Sequence, residues 1–484
     1  MENLKQKGLK ALGWDFTGRI ATQGVGFVIT IFLARLLEPK DFGLVAMVMV
    51  MIGMAQVFTD VGLSSALIQR RRALPIHYSS AFYFNVAAGT ALTLITYFSA
   101  GWIGRFYSNE TLVPLAQVLS LLFLINSFSS VQTARLRKQL ENRLIVRCSV
   151  GASITSGVVG IALAFKGAGV WALVAQSLVS GLVYNLLVWL ASRWVPGLRF
   201  SIKALKQLWA FGFRMFLSAL LDAIFTRLDY LLIGKLFTPQ LLGFFQRAKS
   251  LNLVVVSYTS ASLMSVLFPY LSAIQKDLPR FRRTVLTSLD IICFAVFFLL
   301  GGLYVVSAEL IILLFGEKWL PSIEYFEILV ISGFAYPISA LLVNILKSRG
   351  KSKAFLRLEV LKKSLLACNL ILIFFLVIKV YLYGLIATSV IAVSLNSYFA
   401  AREIHLPVSR FARPVLVQGG LARFSVFVTK YASELIQNRS NLELFFAQGA
   451  LFVFMYCVLS WLFNKGSIVA IVEQVLPSAS KRLR

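Results

Sequence analysis

Residues 36–43 read Leu-Leu-Glu-Pro-Lys-Asp-Phe-Gly, and residues 236–243 read Leu-Phe-Thr-Pro-Gln-Leu-Leu-Gly. The two stretches share a proline and a glycine at the same spacing, 200 positions apart. Upstream, Trp14-x-Phe16-x-x-Arg19 matches Trp209-x-Phe211-x-x-Arg214 after a small change of offset. Self-similarity of this kind predicts a chain that is built from two similar halves.

The composition places this repeat in a membrane. Of the 484 residues, 58% are hydrophobic and only 14% are charged, which is typical of a polytopic membrane protein. The net charge is +28, but the basic residues occupy short connections between apolar stretches, which favours anionic lipid headgroups over nucleic acid as partner. The four cysteines adjoin apolar stretches and histidine occurs only twice, so no metal site or cofactor is expected.

A membrane-spanning helix needs about 20 mostly apolar residues. We predict fourteen such helices, centred near residues 25, 53, 91, 121, 155, 180, 221, 257, 300, 334, 368, 390, 427 and 453. Basic clusters such as Arg70-Arg71-Arg72 alternate along the chain with connections that carry about one base each, such as Lys40 and Arg105. The positive-inside rule then predicts that both termini are cytoplasmic and that helices one and seven enter the membrane from the same side.

The predicted fold class is therefore an all-α polytopic membrane protein with about 14 transmembrane helices and two parallel repeat lobes. Residues 1–205 would form an N-terminal lobe of helices 1–6, residues 206–402 a C-terminal lobe of helices 7–12, and residues 403–484 two additional helices. The thirteenth span is the weakest of the set, because Arg423 and Lys430 interrupt it. Two similar halves in a membrane predict a cavity at their junction, and hence a transporter.

Polar side chains recur at helical spacing inside the predicted spans. They are Asp15, Arg19 and Gln23 in helix one, Gln56, Thr59, Asp60 and Ser64 in helix two, Arg214, Ser218, Asp222, Thr226 and Asp229 in helix seven, and Lys249 in helix eight. Residues three or four apart share one face of a helix, so each set predicts one polar stripe. Charges are costly inside a membrane and usually face a cavity or a partner.

We interpret these stripes as the lining of a hydrophilic cleft. Arg19 and Arg214 occupy matching positions in the repeat, and a guanidinium suits an anionic phosphate because it offers two parallel hydrogen bonds. Lys249, Gln23, Gln56, Ser218 and Thr226 would complete the substrate-binding cavity, with Asp15, Asp60, Asp222 and Asp229 as counter-ions or ion-coupling groups. The alternative is that Asp15 and Arg19 pair within their helix and that the other polar groups hold helices together. Arg35, Arg227 and Lys235 are expected to extend to an interface along their aliphatic stems.

The stretch Leu33-Ala-Arg-Leu-Leu-Glu-Pro-Lys-Asp-Phe-Gly43 resembles the signature of bacterial polysaccharide transporters. Asp60-Val-Gly-Leu63 followed by Ser65-Ala-Leu-Ile-Gln69 strengthens the likeness, as does Asp229-Tyr-Leu-Leu-Ile-Gly-Lys235 in the second half. The chain thus resembles the polysaccharide transport family of the multidrug/oligosaccharidyl-lipid/polysaccharide exporter superfamily. Within that family it resembles the Wzx-type flippases of the WzxC-like or TuaB-like subset.

This resemblance implies a MATE-like fold of two lobes around a V-shaped cleft. It implies alternating access that moves undecaprenyl-diphosphate-linked oligosaccharides from the cytoplasmic to the periplasmic leaflet of the inner membrane. The product would be exopolysaccharide, O-antigen or capsule, with polymerase or export machinery as further partners. Two other functions stay open: an ion-coupled drug exporter of the same superfamily, which needs an acidic cavity, and a membrane glycosyltransferase or polymerase. No Walker A loop or other catalytic motif is present, so the chain is predicted not to be an enzyme.

Overall fold

The apolar stretches fold as long helices. The computed structural model describes residues 2–375, 378–435 and 440–464. Within these ranges, ten helices are long and apolar enough to cross a membrane: Pro39–Asp60, Pro75–Tyr107, Leu112–Lys138, Asn142–Phe165, Val170–Ser192, Ile202–Leu236, Leu278–Val305, Ser322–Ser348, Ile378–Glu403 and Asn441–Phe463. Each holds one predicted span centre. This confirms an all-α polytopic membrane protein, whereas the total of fourteen spans stays a prediction.

The chain divides into two compact units, residues 1–246 and 247–484. The first contains α1 (Glu2–Leu36), α2 (Pro39–Ala55), α3 (Val57–Asp60), α4 (Leu63–Gln69), α5 (Pro75–Tyr107), α6 (Leu112–Leu119), α7 (Leu121–Lys138), α8 (Asn142–Phe165), α9 (Val170–Ser192) and α10 (Ile202–Leu236). The helix α11 (Pro239–Ala273) begins in the first unit and continues into the second. The lobe boundaries near residues 205 and 402 concern the repeat and stay a prediction.

The second unit contains α12 (Leu278–Val305), α13 (Ser307–Phe315), a 3-10 turn at Glu317–Trp319, α14 (Ser322–Gly333), α15 (Ala335–Ser348), α16 (Ser352–Phe375), α17 (Ile378–Glu403), α18 (Ser409–Glu434) and α19 (Asn441–Phe463). The span centres predicted near residues 25, 257, 368 and 427 fall within α1, α11, α16 and α18.

Several helix starts follow from local sequence. Pro39 and Pro75 occupy the first position of α2 and α5, where the missing amide hydrogen of proline costs nothing. The Ser201 hydroxyl accepts a hydrogen bond from the amide of Ala204 at the start of α10, at 3.3 Å. The Asp277 carboxylate accepts one from the amide of Arg280 at the start of α12, at 3.1 Å. Each side chain satisfies a backbone donor that lacks a partner within its helix.

In the first unit, α10 packs against α2, α3, α4 and α5, and α1 packs against α8. Where α4, α5, α7 and α10 meet, the hydrophobic core is formed by the buried residues Leu63, Leu67, Phe82, Val131 and Leu208. The helix α10 therefore lies alongside the part of the chain that carries the predicted stripe of helix two.

In the second unit, the weakly apolar α18 is held by a polar contact as well as by packing. The Lys430 ammonium lies 2.9 Å from the Glu327 carboxylate of α14, which also accepts a hydrogen bond from the buried Ser307 hydroxyl at 2.7 Å. Lys430 also lies 4.4 Å from the ring centroid of Tyr304. This network explains how a span with a lysine near its end is accommodated against α12 and α14.

Candidate functional site

The helix that begins at Pro39 is interrupted next to the candidate site. Val61 and Gly62 have φ angles of +44° and +74° and separate α3 from α4. A Cβ atom at Gly62 would lie 2.1 Å from the carbonyl oxygen of Gly212 on α10, so only glycine fits this close crossing. The prediction that Ser64 continues the stripe of helix two is therefore wrong, because Ser64 lies beyond the interruption, in α4.

A cavity of about 450 Å³ lies beside this interruption within the first unit. Its polar lining comes from Gln56, which joins α2 to α3, and from α3, α4, α7 and α10, which contribute Asp60, Ser65, Asn126 and Arg227. Two neighbouring cavities of about 310 and 500 Å³ share Met49 with it. The cavity wall thus holds Gln56 and Asp60 of the helix-two stripe, Asn126 from α7, and Arg227 from α10, which was not a member of the helix-seven stripe.

Arg227 supplies the positive charge of this cavity. Its Nη1 atom donates a hydrogen bond to the backbone carbonyl of Met49, at 3.3 Å. The guanidinium occupies the space above Gly53, where a Cβ atom would lie 2.0 Å from Nη1 and 2.2 Å from Cζ. Arg227 also lines the second cavity. We expected Arg227 to extend to a membrane interface, but the structure places its side chain in the cavity wall.

Amide and hydroxyl groups lie in the same wall. Gln56 donates to the Thr59 hydroxyl at 3.1 Å, and its Oε1 atom accepts from the Asn126 amide at 3.3 Å. Asn126 also lines the third cavity, beside Gln176 and Tyr184. Such neutral donors and acceptors suit a polar ligand whose groups both donate and accept hydrogen bonds.

Asp60 ends α3 at the interruption. Its carboxylate accepts hydrogen bonds from the Ser64 amide at 3.1 Å, the Ser64 hydroxyl at 2.7 Å and the Asn85 amide at 2.8 Å. Asn85 also donates to the Ser130 hydroxyl at 2.7 Å. Among the described residues, every hydrogen-bond partner of Asp60 is neutral.

The remaining predicted residues occupy different surroundings. Arg214, Ser218 and Asp222 are exposed on α10, where Arg214 Nε donates to the Ala210 carbonyl of its own helix at 3.0 Å. Thr226 is exposed at the edge of the second cavity, and its hydroxyl donates to the Asp222 carbonyl.

Asp229 is buried and accepts from the Tyr230 amide at 2.9 Å. Gln23 is exposed on α1, and Lys249 is half-buried in the second unit. The structure describes the backbone but not the side chains at Asp15 and Arg19, so their pairing stays a prediction.

The repeated Pro-x-x-x-Gly elements contact each other. A Cβ atom at Gly43 would lie 1.7 Å from the carbonyl oxygen of Pro239, and one at Gly243 would lie 2.0 Å from the carbonyl oxygen of Pro39. The contact is reciprocal, because each glycine meets the proline of the other element. The N-terminal ends of α2 and α11 therefore cross with their backbones in contact, and the glycines make this possible.

Three comparisons with known proteins bear on this site. A family model described as polysaccharide biosynthesis protein matches residues 32–324. The lipopolysaccharide biosynthesis protein WzxC of Escherichia coli strain K12 is 25% identical over 367 residues, which cover 74% of each chain. The teichuronic acid biosynthesis protein TuaB of Bacillus subtilis strain 168 is 28% identical over 282 residues, which cover 58% of each chain.

The fold is similar to that of a solved structure, the lipid II flippase MurJ in an inward closed conformation. The TM-score is 0.72 at 16% identity, over 95% of this chain and 100% of the other. At this identity the likeness shows the fold alone.

Proposed function

Because the chain belongs to the polysaccharide biosynthesis protein family, whose model matches residues 32–324, we propose that it flips lipid-linked oligosaccharides across the membrane. The protein is a multi-pass membrane transporter of polysaccharide biosynthesis and not an enzyme. The proposed cargo is an undecaprenyl-diphosphate-linked repeat unit, which moves from the cytoplasmic to the periplasmic leaflet of the inner membrane. Both termini would lie in the cytoplasm, as the distribution of basic residues predicts.

The observation that carries this proposal is the placement of Arg227. A guanidinium inside the apolar part of a membrane protein is costly unless it serves a pathway or a partner. Gly53 leaves room for the Arg227 guanidinium, which donates one of its five N–H groups to the Met49 carbonyl. The remaining donors suit a diphosphate, which accepts parallel hydrogen bonds from arginine.

The neutral groups around Arg227 suit the sugar part of the same molecule. Gln56 and Asn126 offer amide donors and acceptors in the same cavity wall. The polyprenyl tail would stay in the surrounding lipid, since a cavity of about 450 Å³ is too small for a long lipid. Loading on one side and release on the other would follow from two conformations that differ in their affinity for the cargo.

The test begins with deletion of the gene in its native host and analysis of lipid-linked oligosaccharides. Flipping predicts that repeat units accumulate on undecaprenyl diphosphate, that they resist periodate oxidation in intact spheroplasts, and that surface polymer is lost. Complementation with the wild-type gene restores polymer, whereas Arg227→Ala restores little. The loss of one charge-assisted contact weakens binding by about 1.5–3 kcal/mol, or about 10- to 150-fold.

Arg199→Ala serves as the matched control, because Arg199 is exposed in the connection before α10 and lies outside the cavity. Its polymer output should equal that of the wild type at equal expression. Normal output from well-expressed Arg227→Ala would contradict the anion site. Normal lipid-linked oligosaccharides in the deletion strain, together with a new drug sensitivity, would favour the drug exporter instead.

A further inference from the structure

The third cavity lies within the first unit, between α1, α2, α7, α8 and α9. Its volume of about 500 Å³ falls within the range of about 300–1,000 Å³ that is usual for small-molecule sites. Its lining includes the amides and hydroxyls of Asn126, Ser153, Ser156, Gln176, Ser177 and Ser180. None of the described residues that line it is charged, whereas the first cavity holds both Arg227 and Asp60.

Glycines bring the helices around this cavity close together. A Cβ atom at Gly157 on α8 would lie 2.3 Å from Cδ1 of Ile29 on α1, and one at Gly160 would lie 3.1 Å from Cβ of Gln176 on α9. Small residues at such positions let helix backbones approach each other. Gly26 on α1 differs from them, because it lines the cavity and a Cβ atom there would have no neighbour within 4 Å. The space beside Gly26 is therefore open.

Several polar groups of the lining have no partner in the described part of the chain. The side chains of Ser153, Gln176 and Ser180 make no hydrogen bond with a described residue. Polar side chains that hold membrane helices together do so through hydrogen bonds between the helices, and these three make none. Polar groups inside a membrane protein are costly without a partner, so this set indicates a place that a polar ligand enters.

The remaining hydroxyls supply further acceptors. Ser156 donates to the Ser153 carbonyl at 3.1 Å and Ser177 donates to the Leu173 carbonyl at 2.9 Å, so each oxygen keeps lone pairs for a ligand. The Gln176 amide adds donors as well as an acceptor. Sugar hydroxyls match this wall, because each of them both donates and accepts. A carboxylate or phosphate would find no cation in the wall, and an apolar molecule would leave the polar groups unpaired.

Asn126 connects the third cavity to the first, because it lines both. Its Nδ2 atom donates to Gln56 in the wall of the first cavity, at 3.3 Å. Its Oδ1 atom is turned toward α9, where a Cβ atom at Gly181 would lie 3.7 Å from it. The two ends of one amide thus serve the two cavities. A ligand with its diphosphate at Arg227 would extend past Asn126 into the third cavity.

From these contacts we propose that the third cavity is a subsite for an uncharged sugar, namely the sugar that is attached directly to the diphosphate of the cargo. This subsite rests on the proposed function and adds a chemical class to it. The cargo would begin with a neutral hexose whose hydroxyls bind Asn126, Ser153, Gln176 and Ser180. Uronic acids would be excluded from this position, although they could occur elsewhere in the repeat unit.

The test measures the binding of lipids to the purified full-length protein in lipid nanodiscs. The probes are undecaprenyl diphosphate without sugar, with one glucose or galactose, and with the corresponding uronic acid. The better of the two hexose-linked lipids should bind about tenfold more tightly than the sugar-free lipid, because two neutral hydrogen bonds supply about that factor. The matching uronic acid should lose this gain, because its carboxylate has no counter-ion in the cavity.

Gly26→Leu tests the position of the sugar, because its side chain would occupy the open space of the cavity. It should remove the tenfold gain and leave binding of the sugar-free lipid within about twofold. Gly24→Leu is the matched control and should keep the gain. A Cβ atom at Gly24 also has no neighbour within 4 Å, but Gly24 lines none of the three cavities.

A second variant maintains the test if Gly26→Leu fails to fold. Gln176→Met keeps the length of the side chain and removes its amide, so it should reduce the gain about two- to tenfold. Binding of the sugar-free lipid should again stay close to that of the wild type. An unchanged gain in Gln176→Met would contradict the role of this amide in the subsite.

The possible failures can be told apart. Equal binding of hexose-linked and sugar-free lipid by the wild type, a gain that survives in Gly26→Leu, or tight binding of the uronic acid would overturn the subsite alone, provided that the sugar-free lipid still binds through Arg227. Loss of the sugar-free lipid in Gly26→Leu but not in Gly24→Leu would place the diphosphate in the third cavity and would also overturn it. No binding of any probe would overturn the proposed function and the subsite together.

Discussion

The space above Gly53 offers the sharpest test of the candidate site. In Gly53→Ala, the new Cβ atom would lie 2.0 Å from Nη1 and 2.2 Å from Cζ of Arg227. No contact this short survives, so the guanidinium must leave its place and lose the hydrogen bond to the Met49 carbonyl. The fold itself should tolerate the change, because alanine favours the helix by about 1 kcal/mol over glycine and the end of an arginine side chain is flexible.

The expected loss of function is close to that of removing Arg227. If the arginine contributes one charge-assisted contact to the cargo, its displacement costs about 1.5–3 kcal/mol of binding, or about 10- to 150-fold in affinity. The two positions act through one group, so their effects should not add. In the Arg227→Ala background, Gly53→Ala should change output by less than about twofold, a coupling that a double-mutant cycle measures.

The assay compares surface polymer in the deletion strain complemented with each single variant and with the double variant, at equal membrane expression. Undecaprenyl diphosphate binding to the purified proteins gives a second reading of the same cycle. Gly101→Ala is the control, because a Cβ atom at Gly101 on α5 has no neighbour within 4 Å. Equal losses from Gly53→Ala with and without Arg227 would refute the reasoning, since the glycine would then matter for packing alone.

Three further predictions follow from contacts elsewhere in the chain. Gly43→Ala and Gly243→Ala each place a Cβ atom within 2.0 Å of a backbone carbonyl oxygen. Because this oxygen belongs to the backbone, it cannot move aside as the end of a flexible side chain can. Each should destabilise the protein by about 1–3 kcal/mol in thermal unfolding, and an unchanged melting temperature would contradict the close crossing. Glu327→Ala should lower the melting temperature more than Lys430→Met, because Glu327 accepts hydrogen bonds from both Lys430 and the buried Ser307. The opposite order would show that the hydrogen bond from Ser307 contributes nothing. Arg214→Ala should keep polymer output within about twofold of the wild type, because an exposed charge that is hydrogen-bonded to its own helix contributes little. A loss as large as that of Arg227→Ala would instead support the hypothesis that Arg19 and Arg214 form the anion site.

The helical architecture could be predicted from the sequence because membrane spans are long and locally encoded. Each predicted span centre falls within a helix or, near residue 334, between α14 and α15. The interruption after Asp60 was less evident, although Asp60-Val61-Gly62 contains the glycine that marks it. Helical periodicity therefore assigned Ser64 to the wrong helix. A turn of this kind depends on the Gly62–Gly212 contact, which brings together residues far apart in the chain.

The sequence predicts which types of residue line the candidate site, but it identifies only some of the individual residues. The stripes include Gln56 and Asp60, and both line the cavity. The sequence predicts that Arg227 extends to an interface along its aliphatic stem, and its spacing does not fit the stripe that contains Arg214 and Thr226. The position of Arg227 depends on the absence of a side chain at Gly53. Such an absence does not appear in the helical periodicity of polar residues, so the sequence pattern could not reveal it. Asn126 on α7 was likewise found only through its contact with Gln56.

The reciprocal contact between Gly43 and Gly243 also bears on how this chain evolved. Duplication of a gene segment usually frees one copy to diverge while the other keeps the original role. Here each copy supplies the carbonyl that the other copy's glycine must accommodate, so neither is free to change alone. Selection therefore acts on the two elements as one unit, and similarity between them should outlast similarity elsewhere in the halves. The proline and the glycine that residues 36–43 and 236–243 share are the residues that make this contact.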